Sequence, residues 1–533
     1  KKEKGGTQMK RITLKRTICV ACASALLLPI LCTFSGCGQD QIVLRIYNWE
    51  EYIDDGGEGS YVYDQLLDEG VDETSIVAPS ILDDFELWYE QTYHKSVRVE
   101  YSCFGTNEDL YNQLKLGDTY DLVCPSEYMI MKLASENMLE PLPVSFFDET
   151  DEQNTYIQNV SPYIKDVFDS HYITLTKENG DKEQHSWGEY AAGYMWGTTG
   201  FIYNPELVDS EDLSHWSVLL DTKYKNKVTT KDNVRDTYFI GLAILYQDEL
   251  IALKNKLESG EIGETEFSEQ ASIMMNDTSP DTVAKVQNIL LEMKSNIYGF
   301  ETDSGKLDMV KGIISINFAW SGDAVYAIDT AESENVFLNY YVPDECANLW
   351  FDGWVMPKNE NRSEETKHAA MAYINYMSKP ESAIRNMYYI GYSSVIAGDE
   401  VLEYINDTYG VEEGDEEDAV PYDIGYFFGE EATIYTYEDQ LERQLFAQYP
   451  TLEVMRRCIP MEYFADEAGE RINELWTKVK GETLDAWAII VICVCIVAIA
   501  AFVVFVKLGG KIDFFRLKPK KGYRLIKQEP YRK

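Results

Sequence analysis

The sequence has little positive charge. Its 47 lysines and arginines stand against 91 aspartates and glutamates, which gives a formal net charge of −44. A nucleic-acid-binding protein needs a basic face, so the charge argues against nucleic acid as a partner. Histidine is also scarce, and the five histidines are scattered at positions 94, 171, 185, 215 and 368 without the spacing of a metal site.

Cysteine pairs and common enzyme motifs are missing as well. Four cysteines lie away from the chain ends: Cys103, Cys124, Cys346 and Cys458. They have no CxxC spacing, which argues against zinc sites and dithiol redox chemistry. The sequence contains no GxSxG, HExxH or GxxxxGK[ST] motif. We therefore predict no catalytic residues, no metal site and no cofactor, and expect a protein that is not an enzyme.

Two apolar segments lie near the ends of the chain. Residues 18–34 follow a basic stretch and run into Phe34-Ser35-Gly36-Cys37, which resembles a bacterial lipobox. We expect residues 1–37 to be a secretory signal peptide, with Cys37 lipidated after cleavage; an uncleaved anchor is the alternative. Residues 486–506 carry no charge, and about 21 residues at about 1.5 Å each span a bilayer core as one transmembrane helix. The positive-inside rule then places the basic tail, residues 507–533, in the cytoplasm and the acidic middle outside the membrane.

The middle of the chain alternates strand and helix patterns. Strands are predicted over residues 42–47, 97–101 and 120–124. Helical spacing covers residues 81–93, a helix capped by Asn107 and ending at Gly117, and residues 281–294 and 366–377. Strand–helix–strand units with short links are typical of a parallel sheet in an α/β fold. Residues 54–79 have few periodic signals and are expected to form an insertion or long loop. Cys103 and Cys124 lie on two of the predicted strands, and whether they pair stays open.

Aromatic rings and carboxylates recur together along the chain. Tyr47-Asn48-Trp49-Glu50-Glu51-Tyr52 follows the first strand, at the end of the sheet where α/β proteins bind ligands. The combination returns as Trp320 with Asp323 and as Trp350-Phe351-Asp352-Gly353-Trp354. It suits a flexible organic cation, because carboxylates neutralise ammonium groups and ring faces cover methylenes and add cation–π attraction. Core tryptophans beside a solvated acidic surface are the alternative interpretation.

Further motifs follow in a fixed order. They are Tyr120-Asp121-Leu122-Val123 with Pro125-Ser126-Glu127-Tyr128, Trp196-Gly197-Thr198-Thr199-Gly200 with Tyr203-Asn204, Asp232-Asn233-Val234-Arg235-Asp236, Ile316-Asn317-Phe318-Ala319-Trp320-Ser321-Gly322-Asp323-Ala324, and Ile390-Gly391-Tyr392. Together with the first and last ring–acid clusters, they resemble the polyamine (spermidine/putrescine) substrate-binding proteins of ABC importers over about residues 42–480. The resemblance implies an α/β, two-lobe periplasmic-binding-protein fold (type II) with lobes joined by crossing strands. Lobe 1 would comprise residues 41–199 and 351–400, and lobe 2 residues 200–350 and 401–480.

The resemblance also implies a ligand in the cleft between the lobes. The implied ligand-binding residues are Trp49, Glu51, Tyr52, Ser126, Tyr128, Asp236, Trp320, Trp350, Asp352 and Tyr392. Asp352 stands between two tryptophans, and an ionised acid buried there without a partner would be costly, so a ligand ammonium is its expected partner. Asn233 stands where the family usually has a carboxylate, which leaves the choice between a triamine and a diamine open.

The expected function is that of an extracytoplasmic receptor that delivers a polyamine to the permease subunits of an ABC importer at the cell membrane. A ferric-ion or other solute receptor of the same fold is one alternative, suggested by the adjacent tyrosines Tyr340-Tyr341 and Tyr388-Tyr389. A membrane-tethered sensor module is another, since a lipoprotein needs no second anchor. The cytoplasmic tail is too short for a signalling domain, which argues against the sensor.

Overall fold

The computed structural model describes residues 41–176, 181–302, 304–412 and 414–481. The predicted signal peptide and lipidation site at residues 1–37, and the predicted membrane helix and basic tail at residues 486–533, lie outside these ranges. Within the described ranges, no helix is both long and apolar enough to cross a membrane.

The strands are short apart from two long ones near the centre of the sheet. They are β1 (Ile42–Trp49), β2 (Val97–Phe104), β3 (Leu122–Val123), β4 (Leu139–Glu140), β5 (Tyr172–Thr176), β6 (Lys182–Ser186), β7 (Ala191–Tyr203), β8 (Val228–Lys231), β9 (Gly299–Glu301), β10 (Ile316–Trp320), β11 (Asn339–Tyr341), β12 (Ala347–Pro357), β13 (Ser393–Ser394), β14 (Val420–Asp423), β15 (Thr433–Thr436) and β16 (Cys458–Ile459).

The helices cover the sheet and connect its strands. They are α1 (Tyr61–Asp68), α2 (Ile81–Tyr93), α3 (Asn107–Leu116), α4 (Glu127–Ser135), α5 (Thr155–Asn159), α6 (Pro162–Ser170), α7 (Val234–Leu245), α8 (Gln247–Glu258), α9 (Glu264–Met275), α10 (Pro280–Asn296), α11 (Ser304–Val310), α12 (Ser321–Ser333), α13 (Glu364–Met377), α14 (Pro380–Ile390), α15 (Asp399–Tyr409), α16 (Gly425–Phe428), α17 (Gln444–Gln448), α18 (Leu452–Met455) and α19 (Asp466–Lys480).

The main sheet has two parallel halves. In the first half, β1 runs parallel to β2 and β3. In the second half, β8 runs parallel to β9 and β10. The antiparallel pair β7 and β12 stands between them, so the order is β2-β1-β3-β12-β7-β10-β8-β9. The prediction of an α/β fold with parallel strands is confirmed.

Strand β7 belongs to both halves. Its residues 191–198 pair with β12, and its residues 199–203 pair with β10. All 13 residues of β7 and all 11 residues of β12 are buried, as expected for strands covered on both faces. The change of partner falls near residues 199 and 349, close to the predicted lobe boundaries, which themselves remain predictions.

Several local predictions need correction. The segment 54–79 is more than a loop, because it contains α1, whose N-cap Ser60 accepts a hydrogen bond from the Tyr63 N–H. Helix α3 is capped by Thr106 and not by Asn107. It does end at Gly117, which has a φ of +99°. The third strand shrinks to Leu122–Val123, and Cys103 and Cys124 are free thiols.

The predicted helices at residues 81–93, 281–294 and 366–377 are confirmed as α2 and as parts of α10 and α13. Helix α13 has the expected cap, since the Ser363 hydroxyl accepts a hydrogen bond from the Thr366 N–H at 3.0 Å. Periodicity is informative for these segments because each helix buries one apolar face against the rest of the protein.

We predict that Gly200→Ala destabilises the fold. Gly200 lies where β7 changes partner, and a Cβ there would lie 2.7 Å from the Tyr340 ring and even closer to the Tyr341 carbonyl oxygen. Overpacking of this kind typically costs about 1–3 kcal/mol, measurable as a lower free energy of unfolding in urea. Gly299→Ala is the matched control, because a Cβ on that strand residue meets nothing within 4 Å. Equal losses in the two variants would contradict the close-approach argument.

Candidate functional site

Asp352 is fixed by backbone contacts on both sides of it. The Phe351 N–H donates to the Glu127 carboxylate at 3.2 Å, and the Gly353 N–H donates to the Pro125 carbonyl at 3.1 Å. Here the long strand β12 lies against the turn that leads from β3 into α4. The pairing of β12 with β7 also shifts register between Asp352 and Gly353. Irregularities of this kind re-aim side chains beside ligand sites.

The Asp352 carboxylate accepts hydrogen bonds from neutral groups. The Tyr52 hydroxyl donates to one oxygen at 2.6 Å, and the Ser126 hydroxyl donates to the other at 2.8 Å. The Trp49 indole N–H faces the same carboxylate, where it opposes the rise in the Asp352 pKa. Among the described residues, the indole N–H forms no hydrogen bond of ordinary geometry.

Burial raises the pKa of Asp352 to about 6, and the hydrogen bonds from Tyr52 and Ser126, with the nearby Trp49 indole, oppose the rise. The side chain is only 6% exposed. In the described part of the chain, no lysine or arginine forms an ion pair with it. Asp352 is therefore a buried acid that lacks a cation, the situation in which a charged ligand contributes most.

Aromatic rings line the surroundings of Asp352. Tyr392 packs against Tyr52 with ring centroids 5.5 Å apart and against Trp350 at 5.4 Å. The Trp350 N–H donates to the Thr198 carbonyl at 3.2 Å, which orients the indole. Gly322 leaves the space for the Tyr392 ring, because a Cβ at that position would overlap it.

A second buried acid comes from the start of α7. Asn233 caps this helix, and its side-chain oxygen accepts the N–H groups of Arg235 and Asp236 at 2.8 and 3.2 Å. Burial raises the pKa of Asp236 to about 7, against the lowering effects of Arg235, Lys231 and the Trp320 indole. Asn233 therefore has a structural role as the N-cap of α7. This is the position where the family usually has a carboxylate.

Arg235, in helix α7, contacts two aromatic rings from other parts of the chain. Its guanidinium lies 3.8 Å from the Phe464 ring centroid and 5.6 Å from the Tyr128 ring centroid. Burial lowers the Arg235 pKa to about 10. Facing it, Glu127 is 2% exposed, and burial raises its pKa to about 8 although Arg235 favours the ionised form. Glu127 and Arg235 belong to the ordered sequence motifs but are not among the predicted ligand-binding residues.

Asp323 differs from Asp352 because it forms ion pairs with lysines. It pairs with Lys231 at 2.8 Å and with Lys306 at 3.3 Å. Burial alone would raise its pKa, but the two lysines hold it below the ordinary value. The Tyr392 hydroxyl also donates to Asp323 at 3.2 Å. The pairing of Lys231 with Asp323 could not be predicted from local sequence, since 92 positions separate the two residues.

The structure brings most of the predicted site residues into one neighbourhood. Trp49, Tyr52, Ser126, Trp350, Asp352 and Tyr392 are linked by the contacts above. Tyr128, Asp236 and Trp320 belong to the adjoining group around Arg235. The Tyr128 hydroxyl accepts a hydrogen bond from Asn107 at 3.0 Å. Glu51 differs from the rest, because it is exposed and has a φ of +52°.

The adjacent tyrosines considered for iron are engaged elsewhere. Tyr340 is buried and donates to the Thr198 carbonyl at 3.1 Å. Tyr388 and Tyr389 donate to Asp64 and Asp55, each at 2.7 Å. Among the described residues, no cluster of three or more His, Cys, Asp or Glu side chains could hold a metal ion.

Comparison with known proteins yields a family and several relatives. A family model described as "Bacterial extracellular solute-binding protein" matches residues 81–401. The spermidine/putrescine-binding periplasmic protein of Escherichia coli (strain K12) is 24% identical over 356 residues, which are 66% of this chain and 77% of that protein. The putrescine-binding periplasmic protein PotF of the same strain is 23% identical over 350 residues, 64% of this chain and 75% of that protein.

A solved structure extends the comparison. The spermidine/putrescine ABC transporter substrate-binding protein PotD of Streptococcus pneumoniae strain Canada MDR_19A, in complex with calcium and HEPES, is 26% identical to this chain. The match covers 83% of this chain and 99% of that chain, with a TM-score of 0.50. The resemblance predicted from the ordered motifs is confirmed by these relatives.

The raised pKa of Asp352 predicts a pH-dependent effect of Asp352→Asn on the ligand-free protein. An acid with a raised folded-state pKa stabilises the fold below its unfolded pKa, near 4, and this stabilisation is lost as the pH rises through about 6. Asparagine is never ionised, so the variant should be more stable than the wild type at pH 8, by about 1–3 kcal/mol at 1.4 kcal/mol per pKa unit. At pH 4 the two should be nearly equal.

Thermal and urea unfolding at both pH values measure this difference. Asp232→Asn is the matched control, since Asp232 is exposed and its replacement also removes one carboxylate. A loss of stability in Asp352→Asn that is equal at pH 4 and pH 8 would contradict the assignment of Asp352 as an unpaired buried acid.

Proposed function

The chain belongs to the family of bacterial extracellular solute-binding proteins, and we propose that it binds a linear polyamine, spermidine or putrescine, and delivers it to an ABC importer. The ligand would lie between the two lobes of a type II binding-protein fold, where residues of the two sheet halves approach each other. The proposal rests on one observation above all. Asp352 is a buried carboxylate surrounded by rings and hydroxyls, with no cation paired to it among the described residues.

The chemistry of Asp352 matches an ammonium group. Two hydroxyls already donate to the carboxylate, so what it lacks is a positive charge. A primary ammonium supplies that charge together with N–H donors. The desolvated pair would then replace an energetically costly isolated charge.

The surrounding rings match the rest of such a ligand. Trp350, Tyr392 and Tyr52 form a continuous aromatic surface beside the carboxylate, and Trp49 packs at its edge against Phe104. Ring faces cover methylene groups and attract nearby cations. A polyamine alternates ammonium groups with methylene chains, so it uses both kinds of surface.

Asp236 and Glu127 provide further negative charge for a second ammonium. Both are buried acids with raised pKa values; Arg235 faces both of them, and Lys231 also acts on Asp236. The relatives named for spermidine/putrescine and putrescine binding support the same ligand class. The engaged phenols of Tyr340, Tyr388 and Tyr389 argue against the ferric-ion alternative.

The receptor would act at the external face of the membrane. We propose that lipid on Cys37 and a helix over residues 486–506 tether it there, with residues 507–533 in the cytoplasm. The charge distribution of the sequence supports this orientation, because basic segments resist translocation. Tethering beside a permease would keep the receptor at a high effective concentration.

Titration calorimetry at low salt tests the ligand. We predict saturable binding of putrescine or spermidine to the wild type. Asp352→Asn should weaken that binding by about 2–5 kcal/mol, the usual loss when one partner of a desolvated charge pair is removed. Asp232→Asn should change it by about 0–1 kcal/mol, as an exposed acid does.

Each substitution removes one negative charge. Comparing them therefore distinguishes the loss of a direct ligand contact from the effect of a lower net charge on binding. Similar losses in both variants would show that Asp352 does not contact the ligand. The absence of binding of either polyamine by the folded wild type, beside clear binding of another solute, would contradict the proposed function.

A further inference from the structure

Lys231 holds its ammonium group in a fully formed cation site. The residue ends β8 and is 0% exposed. Its Nζ lies 2.8 Å from Asp323, 3.3 Å from Glu301 and 3.0 Å from the Thr302 carbonyl oxygen. It also lies 4.7 Å from the centroid of the Trp320 ring. An ammonium has three N–H donors, so the three acceptors saturate it while the indole adds cation–π attraction.

This environment is chemically the one that a polyamine ammonium would need. It offers a buried carboxylate, further oxygen acceptors and an aromatic face. The difference is that the protein supplies the cation itself. Strand β8 pairs in parallel with β10, and both end at this edge of the sheet, which places Lys231 beside Trp320.

The Lys231 site is continuous with the site around Asp352. The Tyr392 hydroxyl donates to Asp323 at 3.2 Å, and the Tyr392 ring packs on Tyr52. The Tyr52 hydroxyl in turn donates to Asp352 at 2.6 Å. On the other side, the Trp320 indole N–H interacts with Asp236. Lys231 therefore lies within one connected network of acids and rings.

Charge balance separates the two ends of this network. Lys231 and Lys306 face Asp323 and Glu301, so two positive charges stand against two negative ones. At the other end, Asp236 and Glu127 face Arg235, and Asp352 accepts hydrogen bonds from the neutral hydroxyls of Tyr52 and Ser126. Three carboxyl groups thus stand beside one arginine, so this end of the network offers acceptors for a ligand with two ammonium groups.

We propose that Lys231 is a specificity-determining residue, whose side-chain ammonium takes the place of a ligand ammonium beside Trp320 and Asp323, so that the receptor prefers a linear diamine to a triamine. This inference rests on the proposed polyamine-binding function. A third ammonium would have to displace Lys231 or lie in a part of the site whose charges are already balanced. A diamine uses only the unbalanced end.

Replacing Lys231 tests the inference. Titration calorimetry would measure the dissociation constants of putrescine and spermidine for the wild type, Lys231→Met and Lys227→Met. Methionine keeps most of the length of the side chain and removes the ammonium, which leaves Asp323 and Glu301 open to a ligand ammonium. We expect the ratio of the two constants to shift toward spermidine by about tenfold or more in Lys231→Met, a difference of about 1.4 kcal/mol in binding free energy.

Lys227→Met is the matched control, because Lys227 is exposed and lies just before β8, at the far end of the strand. Lys227→Met also removes one positive charge, but at a position away from the rings. It should leave the ratio of the two dissociation constants unchanged. An unchanged ratio in a folded Lys231→Met variant would overturn the inference, as would an equal shift in the two variants.

Circular dichroism and thermal melting show whether Lys231→Met folds. If it does not, the relative affinity of the wild type for putrescine and spermidine tests the inference independently. The wild type should bind putrescine at least as tightly as spermidine. Binding of spermidine about tenfold tighter than putrescine would overturn the role of Lys231 and leave the proposed function standing. Binding of neither compound would contradict the proposed function instead.

Discussion

The burial of the Asp352 carboxylate without a cation is the constraint that organises the site. An ionised carboxylate loses strong hydration when it enters a protein interior. Here hydroxyls from Tyr52 and Ser126 compensate in part, yet the pKa still rises to about 6. The register shift in β12 and the backbone bonds of Phe351 and Gly353 hold the group in place. A rigid, incompletely compensated acid of this kind is poised for a cationic ligand.

The buried acids of the site come from both halves of the structure, so ligand binding depends on the contact between these halves. Asp352 lies on a central strand, whereas Asp236 and Arg235 start a helix of the second half. Arg235 reaches the Tyr128 ring of the first half. With the halves in contact, the acids are buried and their pKa values rise. A bound diamine would supply the missing charge and so stabilise the arrangement in which they are buried.

The architecture could be predicted from local sequence patterns, whereas the electrostatics of the site mostly could not. Alternation over residues 42–47 and helical spacing over residues 81–93 report local geometry, so β1 and α2 could be predicted. The ring–acid motifs also pointed to Asp352. Ion pairing depends on the fold. Asp323 looked equivalent to Asp352 in sequence, but Lys231, from another strand 92 positions away, neutralises it. Arg235 on Tyr128 is likewise visible only after folding, and the shift of a cap from Asn107 to Thr106 lies within the one-residue uncertainty of helix ends.

The central claim is that a ligand ammonium becomes the counter-ion of a buried, partly protonated acid. Proton release on binding tests it most directly. Calorimetric titration of putrescine at pH 6, in buffers of different ionisation enthalpy, measures the protons exchanged. Because the pKa of Asp352 is about 6 and a cation favours the ionised form, the account predicts net proton release by the wild type and less release by Asp352→Asn. Binding without proton release, or with equal release by both proteins, would contradict it.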